Sequence, residues 1–463
     1  MGEEGYKCGI TQSPRLAQNP LNQVLSAPDF ANDSQIEALL APFGRFGVEL
    51  GLERIQRLLM ALGQPQTKVP LVHVAGSNGK GSVCAYLSAV LAAAGYRVGR
   101  YTSPHLVSWR ERIVVNDAPI ASADLMQRLQ QVIAAIDPTQ PSPTQFEVFT
   151  AAAWLHFAEV GVDLAVMEVG LGGRLDATNV VDTPLVSVIV SLSREHWQRL
   201  GPTLADIARE KAGVLKPGRP AIIGPLPPEA AAMVKARIQA LDCPTVWPAP
   251  ATTLGQGQAR YDGDGQAITF PLPLLGDHQR INAAVAVAAL QSLRAQGWQI
   301  ANEAIAQGMG QARWPGRLQW VTWNPQAQGY PLLIDGAHNP AAAEVLRQYV
   351  DRWWSAQPDQ HQSTTWLMGM LATKDHHDVL TALLRPGDVL HLVPVPGHET
   401  ATPEELGAIA RSACPDLSQC NPHPSLRDGL SAMAMTSAPL RVLCGSLYLI
   451  GHFLATEPYS GQQ

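Results

Sequence analysis

The stretch Val69-Pro70-Leu71-Val72-His73-Val74-Ala75-Gly76-Ser77-Asn78-Gly79-Lys80-Gly81-Ser82 constrains the fold of this chain more than any other. An apolar run of strand length leads into Gly76, Gly79 and Gly81, and a helical pattern follows to Ala94, where Gly95 fits a stop. Glycines at such a turn let backbone N–H groups converge, and the helix N-terminus adds its dipole, so the segment is suited to an anion. Lys80 adds a point charge for β- and γ-phosphates, and Ser82 a hydroxyl near a metal ion. The spacing departs from G-x-x-x-x-G-K-[ST], because residue 74 is valine and Gly81 separates Lys80 from Ser82. Nucleotide binding, with ATP as the ligand, is the reading the loop supports.

The same alternation continues. Residues 98–101, 163–169, 185–192 and 221–223 read as strands, and 34–62, 203–215, 229–241 and 278–293 as helical stretches, with Thr203 as an N-cap. Residues 243–275 interrupt it with turns such as Asp262-Gly263-Asp264-Gly265, which predicts a small antiparallel insertion. After Trp314-Pro315-Gly316-Arg317 strands return at 332–335, 365–368, 389–393 and 440–443. The prediction is an α/β protein: a P-loop ATPase domain with a mostly parallel sheet over 31–312, and a smaller C-terminal Rossmann-like α/β domain over 313–463. Residues 1–30, rich in Pro, Gln, Asn and Ser without periodicity, read as a loose tail.

A formal charge of -6 argues against a general nucleic-acid or anionic-membrane binder. Met1 to Ile10 lacks an apolar signal core, and no run of about 18 apolar residues occurs, so a cytoplasmic protein without a membrane span is expected. Cys8, Cys84, Cys243, Cys414, Cys420 and Cys444 form no CxxC pair, which favours reduced structural thiols.

Several charged residues fall where strands end, the place where α/β sheets bind ligands. Glu168 closes one strand before Gly170-Leu171-Gly172-Gly173, and such a carboxylate suits Mg²⁺. His196 follows the next strand in Ser193-Arg194-Glu195-His196. Lys211, on a helix, reads on its own as a surface residue. In the second domain Asp335-Gly336-Ala337-His338-Asn339-Pro340 is another strand-to-helix turn. Asp335 there faces ribose hydroxyls, His338 and Asn339 lie near a helix N-terminus, and Pro340 suits its first turn.

Together these segments resemble the folylpolyglutamate synthase/dihydrofolate synthase family of the Mur ligase superfamily, over about residues 43–454. Its pieces occur in order: Leu50-Gly51-Leu52-Glu53-Arg54, the 73–82 loop, Tyr101-Thr102-Ser103-Pro104-His105-Leu106, Phe146-Glu147, 168–179 and Glu210-Lys211-Ala212-Gly213. His278-Gln279 with Asn282-Ala283-Ala284, Trp314-Pro315-Gly316-Arg317 and the 335–340 turn complete the set. The resemblance implies Ser103, Glu168 and His196 as magnesium ligands, for one or two ions. It implies Ser77, Asn78, Gly79, Lys80, Gly81, Ser82, Asn282, Arg317 and Asp335 as ATP contacts. Lys211 corresponds to a family lysine that can be carbamylated. Leu52, Glu53, Gln145, Phe146, Glu147, Leu175, Asp176 and Ala177 look like the pterin-side pocket, and His338 and Ser446 face the incoming glutamate. The chain has Ser77 where the family usually has Thr, and Glu195 where it commonly has Asp, a change that shifts the carboxylate next to His196.

What the resemblance implies chemically is an acid–amino-acid ligase of folate biosynthesis, acting as a monomer on L-glutamate and a dihydropteroate or reduced-folate acceptor. The acceptor carboxylate takes the γ-phosphoryl group of Mg·ATP, and the amine of L-glutamate then displaces phosphate. Two alternatives compete. A peptidoglycan-precursor Mur-type ligase places a UDP-binding domain before the loop, where only about 75 residues stand here. A non-catalytic nucleotide-binding protein has no need of Lys80, Glu168, His196, Lys211 and Asp335 together.

Overall fold

The computed structural model describes residues 27–44, 51–263, 265–325, 328–357, 363–436 and 439–461. Its first half is built on eight strands: β1 (Leu71–Ala75), β2 (Val98–Tyr101), β3 (Ile113–Val115), β4 (Ala118–Pro119), β5 (Leu164–Glu168), β6 (Val186–Ile189), β7 (Ala221–Ile223) and β8 (Thr245–Val246). They lie in the order β4-β3-β2-β5-β1-β6-β7-β8. All pairings are parallel except those of β3 with β2 and β4. Every residue of β1, β5 and β6 is buried, because helices cover both faces, and this is why these strands read as unbroken apolar runs. On one face Val72, Val74, Val166 and Val188 pack against the helices Lys80–Ala93 and His278–Ala295. On the other, Leu71, Tyr101 and Met167 meet Phe149, Trp154 and Phe157 of the helix Gln145–Val160.

The expected antiparallel insertion is a three-stranded sheet of β9 (Thr252–Gly255), β10 (Gln258–Gly263) and β11 (Gln266–Pro271). Asp264 of its turn lies outside the described residues. The second half carries β12 (Gln319–Trp323), β13 (Tyr330–Ile334), β14 (Thr364–Met368), β15 (Val389–Leu392), β16 (Gln419–Pro422), β17 (Leu440–Cys444) and β18 (Tyr459–Gly461). Their order is β16-β15-β14-β17-β13-β12-β18, parallel as far as β13 and antiparallel at the β12 and β18 edge.

The first helical stretch differs from its reading. A helix already begins at Ala27, within the segment read as tail, and runs to Leu40, and a 3₁₀ turn Ala41–Phe43 ends it at Gly44. Pro42 has no N–H to continue the ladder, and Gly44 takes a left-handed φ of 71°. A separate helix Glu53–Ala61 follows. Residues 1–26, and Leu50 of the first family segment, lie outside the described residues.

The halves meet where helices of the second face loops and a helix start of the first. A β-carbon on Gly451 would stand 1.8 Å from the carbonyl oxygen of Leu106, so backbone touches backbone there. Arg352 of the helix Pro340–Ser355 pairs with Asp277 of the first half.

Candidate active site

The phosphate loop closes β1 and is pinned to the neighbouring strand end. Ser77 N–H donates to Ser191 O (2.8 Å), Asn78 N–H to Ser191 Oγ (3.1 Å) and Ser193 N–H to Ser77 Oγ (3.0 Å). Gly76 and Gly79 have φ of 149° and 86°, and a β-carbon on Gly79 would fall 2.5 Å from Asn282 Oδ1. Gly81 is needed for another reason: its β-carbon would lie 2.1 Å from the Trp314 ring of the interdomain linker. Lys80 Nζ donates to the carbonyls of Gly76 (3.0 Å) and Ser77 (3.1 Å), which folds the ammonium over its own loop. Buried Asn282 donates to Gln279 Oε1 (3.1 Å), and Gln279 donates to Ser82 Oγ (3.2 Å), so the helix His278–Ala295 braces the loop from behind.

Glu168 ends β5 beside this loop. One carboxylate oxygen accepts the Ser103 N–H at 3.1 Å, and the other stands 4.0 Å from Lys80 Nζ. Burial raises its pKa, and Lys80, the Ser103 amide and Arg317 pull it back. Ser103 precedes a cis proline, Pro104.

His196 sits at the next strand end in a left-handed turn, φ 48°, capping the short helix Trp197–Leu200. The residue is exposed. Desolvation by the cleft walls lowers its pKa, Glu195 opposes this, and Lys374, Lys211 and Lys80 add to the lowering. That favours the neutral imidazole, the metal-binding form.

Lys211, a surface residue when read alone, is instead buried: it is only 2% exposed. It lies at the end of the helix Leu204–Lys211, and its Nζ donates to Gly76 O (2.9 Å) and to Glu195 Oε1 (3.0 Å). Gly213, two residues on, packs against Arg174: a β-carbon there would lie 2.3 Å from it. Burial works to raise the pKa of Glu195, but Lys211, Lys80 and His196 hold it down to about 2.

From the second half, Asp335 follows β13 and is buried. Its two oxygens accept N–H bonds from Leu318 and Ala337, each at 2.8 Å, which fixes the linker against this strand end. Arg317 lies between the halves, close enough to act on Glu168, Asp335 and His338. His338 Nδ1 lies 2.8 Å from Gly336 O, so Nδ1 carries the proton and Nε2 is the acceptor. Burial, Lys374 and Arg317 hold its pKa down to about 3. Asn339 caps the helix Pro340–Ser355 and exchanges amide bonds with Asn78 of the phosphate loop, at 3.2 and 3.5 Å.

Lys374 escaped the sequence reading. It acts on Glu195, His196 and His338 from the loop after β14. The signal was present, since residues 365–368 read as a strand and this loop is its C-terminal end.

Among the predicted pterin-side residues, Phe146 lies against the loop 169–180 that carries Leu175, Asp176 and Ala177. Gly170 lets the Phe146 ring lie on it, with a hypothetical β-carbon only 2.4 Å from the ring. Leu175 is half-buried and Ala177 is buried. Buried Asp176 accepts the Leu171 N–H at 2.8 Å and bonds from Thr178. Glu147 forms a capping box with Thr144 and an ion pair with Arg54 (3.0 Å). Leu52 caps the helix Glu53–Ala61, and Glu53 is exposed at its first turn. Gln145 and Phe146 also line a cavity of about 470 Å³ between the halves, with Arg112, His398 and Tyr448 on its walls. The last two rings stack 3.9 Å apart. Ser446 opens the helix Leu447–Thr456 and accepts the Tyr448 N–H at 3.2 Å.

Comparison with known proteins gives the same two halves. Residues 74–290 match the Mur ligase middle domain, and residues 319–456 the dihydrofolate synthetase C-terminal domain. A folylpolyglutamate synthase of Lacticaseibacillus casei is 35% identical over 433 residues, 90% of this chain and 97% of the relative. A dihydrofolate synthase/folylpolyglutamate synthase of Escherichia coli is 34% identical, over 88% and 91%. Among solved structures, Mycobacterium tuberculosis folylpolyglutamate synthase complexed with ADP and AMPPCP superposes with a TM-score of 0.79 at 30% identity, over 94% of this chain and all of that one. E. coli FolC in complex with DHPP and ADP gives 0.78 at 31%, over 91% and 96%.

Proposed function

The chain belongs to the folylpolyglutamate synthase/dihydrofolate synthase family of Mur-type, ATP-dependent ligases, and from that premise we propose how its own residues join L-glutamate to a dihydropteroate or reduced-folate acceptor. The observation that carries the reading is convergence. Lys80 and Glu168 of the first half, Arg317 of the linker and Asp335 of the second all meet at facing strand ends.

ATP lies with its phosphates on the Gly76–Ser82 turn, between the loop amides and Lys80. Asn282 and Asp335 bound the nucleotide, and Arg317 approaches from the linker. The acceptor lies along the Phe146 and Asp176 side, its carboxylate pointing toward the γ-phosphate. Carboxylate oxygen attacks phosphorus, the bond to the β-phosphate oxygen breaks, and ADP leaves an acyl phosphate. The glutamate amine then attacks the carbonyl carbon, and phosphate departs. No side chain forms a covalent bond; placement and charge neutralisation by Lys80 and Arg317 lower the barrier.

The donors present suit Mg²⁺. Glu168 gives one oxygen to the Ser103 amide and leaves the other 4.0 Å from Lys80 Nζ, and the lowered pKa of His196 favours its neutral ring. Ser103, Glu168 and His196 would hold the ion, which supplies neutralising charge for the phosphates. Lys211 and Glu195 stand beside this group, and carbamylation of Lys211 would turn its cation into another carboxylate.

His338 and Ser446 face the glutamate site. With its depressed pKa, His338 offers Nε2 as a neutral acceptor to the amine. Lys374 supplies a cation for a glutamate carboxylate. Both faces of the cleft come from one chain, so a single copy suffices. Among the described residues no helix is long and apolar enough to cross a membrane.

Lys80→Ala and Glu168→Ala test the assignment. Each should lower glutamate-dependent ADP release by at least about a hundredfold, the scale of losing one transition-state charge contact. Near-normal turnover in both would remove the site.

A further inference from the structure

A histidine stands in the middle of a fully buried strand. His73 is the central residue of β1, 1% exposed, on the face it shares with Leu71 and Ala75. Burial, with Lys216 adding to it, holds its pKa down to about 3, so the ring is neutral. Its Nε2 lies 2.8 Å from Thr178 Oγ1, and Thr178 is wholly buried. The Thr178 hydroxyl donates in turn to Asp176 Oδ1 at 2.6 Å.

The hydroxyl has one proton, and the short bond to the carboxylate uses it. Thr178 Oγ1 therefore accepts from His73, which fixes the Nε2–H tautomer. The chain of donors runs in one direction, from His73 through Thr178 to Asp176. Asp176 also accepts the amides of Thr178 (3.0 Å) and Leu171 (2.8 Å). A carboxylate held on both oxygens from the protein side has one orientation left to present. The strand that carries the phosphate loop thus sets the angle of Asp176.

We propose that Thr178 and His73 are positioning residues for acceptor binding, holding Asp176 through the hydrogen-bond chain His73–Thr178–Asp176. The inference rests on the reading of Asp176 as an acceptor-side residue. It goes further in assigning a task to two buried residues, one of them on the strand before the phosphate loop.

The test is steady-state kinetics on the full-length enzyme, varying dihydropteroate, tetrahydrofolate, ATP and glutamate separately. Thr178→Val, which keeps the shape and removes the hydroxyl, should raise the KM of the preferred acceptor about tenfold, with kcat and the KM for ATP within about twofold. His73→Leu should do the same. Thr178→Ser and His73→Gln, whose amide can donate where Nε2–H does, should restore the acceptor KM. Thermal unfolding of each variant accompanies the kinetics. The proposal is overturned if Asp176→Ala raises the acceptor KM while Thr178→Val leaves it unchanged. It is also overturned if Thr178→Val raises the KM values for acceptor, ATP and glutamate together and Thr178→Ser does not correct them, which is a folding role. An Asp176→Ala enzyme with an unchanged acceptor KM would instead remove the acceptor-side reading of Asp176, and this inference with it.

Discussion

Lys211 Nζ lies 3.0 Å from Glu195 Oε1, and the lysine side chain is only 3% exposed. The pair joins the end of one helix to the loop carrying His196, and Lys211 also holds the Gly76 carbonyl of the phosphate loop. Removing one partner leaves the other charge buried. Glu195→Gln should therefore cost about 3 kcal/mol of stability at neutral pH, measured by urea unfolding. The pH dependence has a definite sign. The folded pKa of Glu195 is about 2, below the ordinary value of 4.5, so its contribution is complete above about 5 and lost as pH falls toward 2. The stability difference between wild type and Glu195→Gln should shrink through that window. A constant difference would show that the ion pair is not its source.

His338 should not titrate in the working range. Its folded pKa of about 3 lies below the ordinary 6.5, so the unfolded chain binds the extra proton between these values and stability from this group falls as pH falls. Histidine NMR should find the His338 ring neutral, protonated on Nδ1, from pH 5 to 8. His338→Ala should raise the KM for glutamate about tenfold, the loss of one hydrogen bond to a charged or reacting group. A His338 signal that titrates near pH 6.5 would rule out the neutral-acceptor role.

Asn78 and Asn339 separate two effects. Asn339 both caps a helix and reaches across to the phosphate loop, whereas Asn78 Nδ2 and Oδ1 serve only loop and interdomain partners. Asn339→Ala should lose about 1 kcal/mol more stability than Asn78→Ala, the value of an N-cap. Both should raise the KM for ATP. Equal unfolding midpoints would argue against the cap.

Gly81→Ala should be severe for a steric reason whose nearest neighbour is Trp314. The added carbon would overlap Trp314, so the variant should lose activity and stability, and Trp314→Leu should recover part of both. Strictly additive losses in the double variant would place the clash elsewhere.

Both parallel sheets and the antiparallel insertion were legible in the sequence, because strands buried on both faces read as apolar runs ending in turn residues. The phosphate loop and the Asp335 turn were legible for the same reason: both stand where those runs stop. What sequence could not reach was contact between distant segments. Lys211 looks like a surface lysine until the strand end before Gly76 closes over it. Thr178 and His73 meet across 105 positions, and nothing local marks either as half of a pair. The start of the first helix, Ala27 to about residue 30, was read as tail because composition, rather than spacing, was weighed there.

The account's central claim is that an acceptor carboxylate is activated by phosphoryl transfer in the cleft between the two halves. Acceptor labelled with ¹⁸O in its free carboxylate, incubated with ATP and L-glutamate, should yield one labelled oxygen in the released phosphate for each amide formed, with ADP as the nucleotide product. Unlabelled phosphate, or AMP with pyrophosphate, would contradict it.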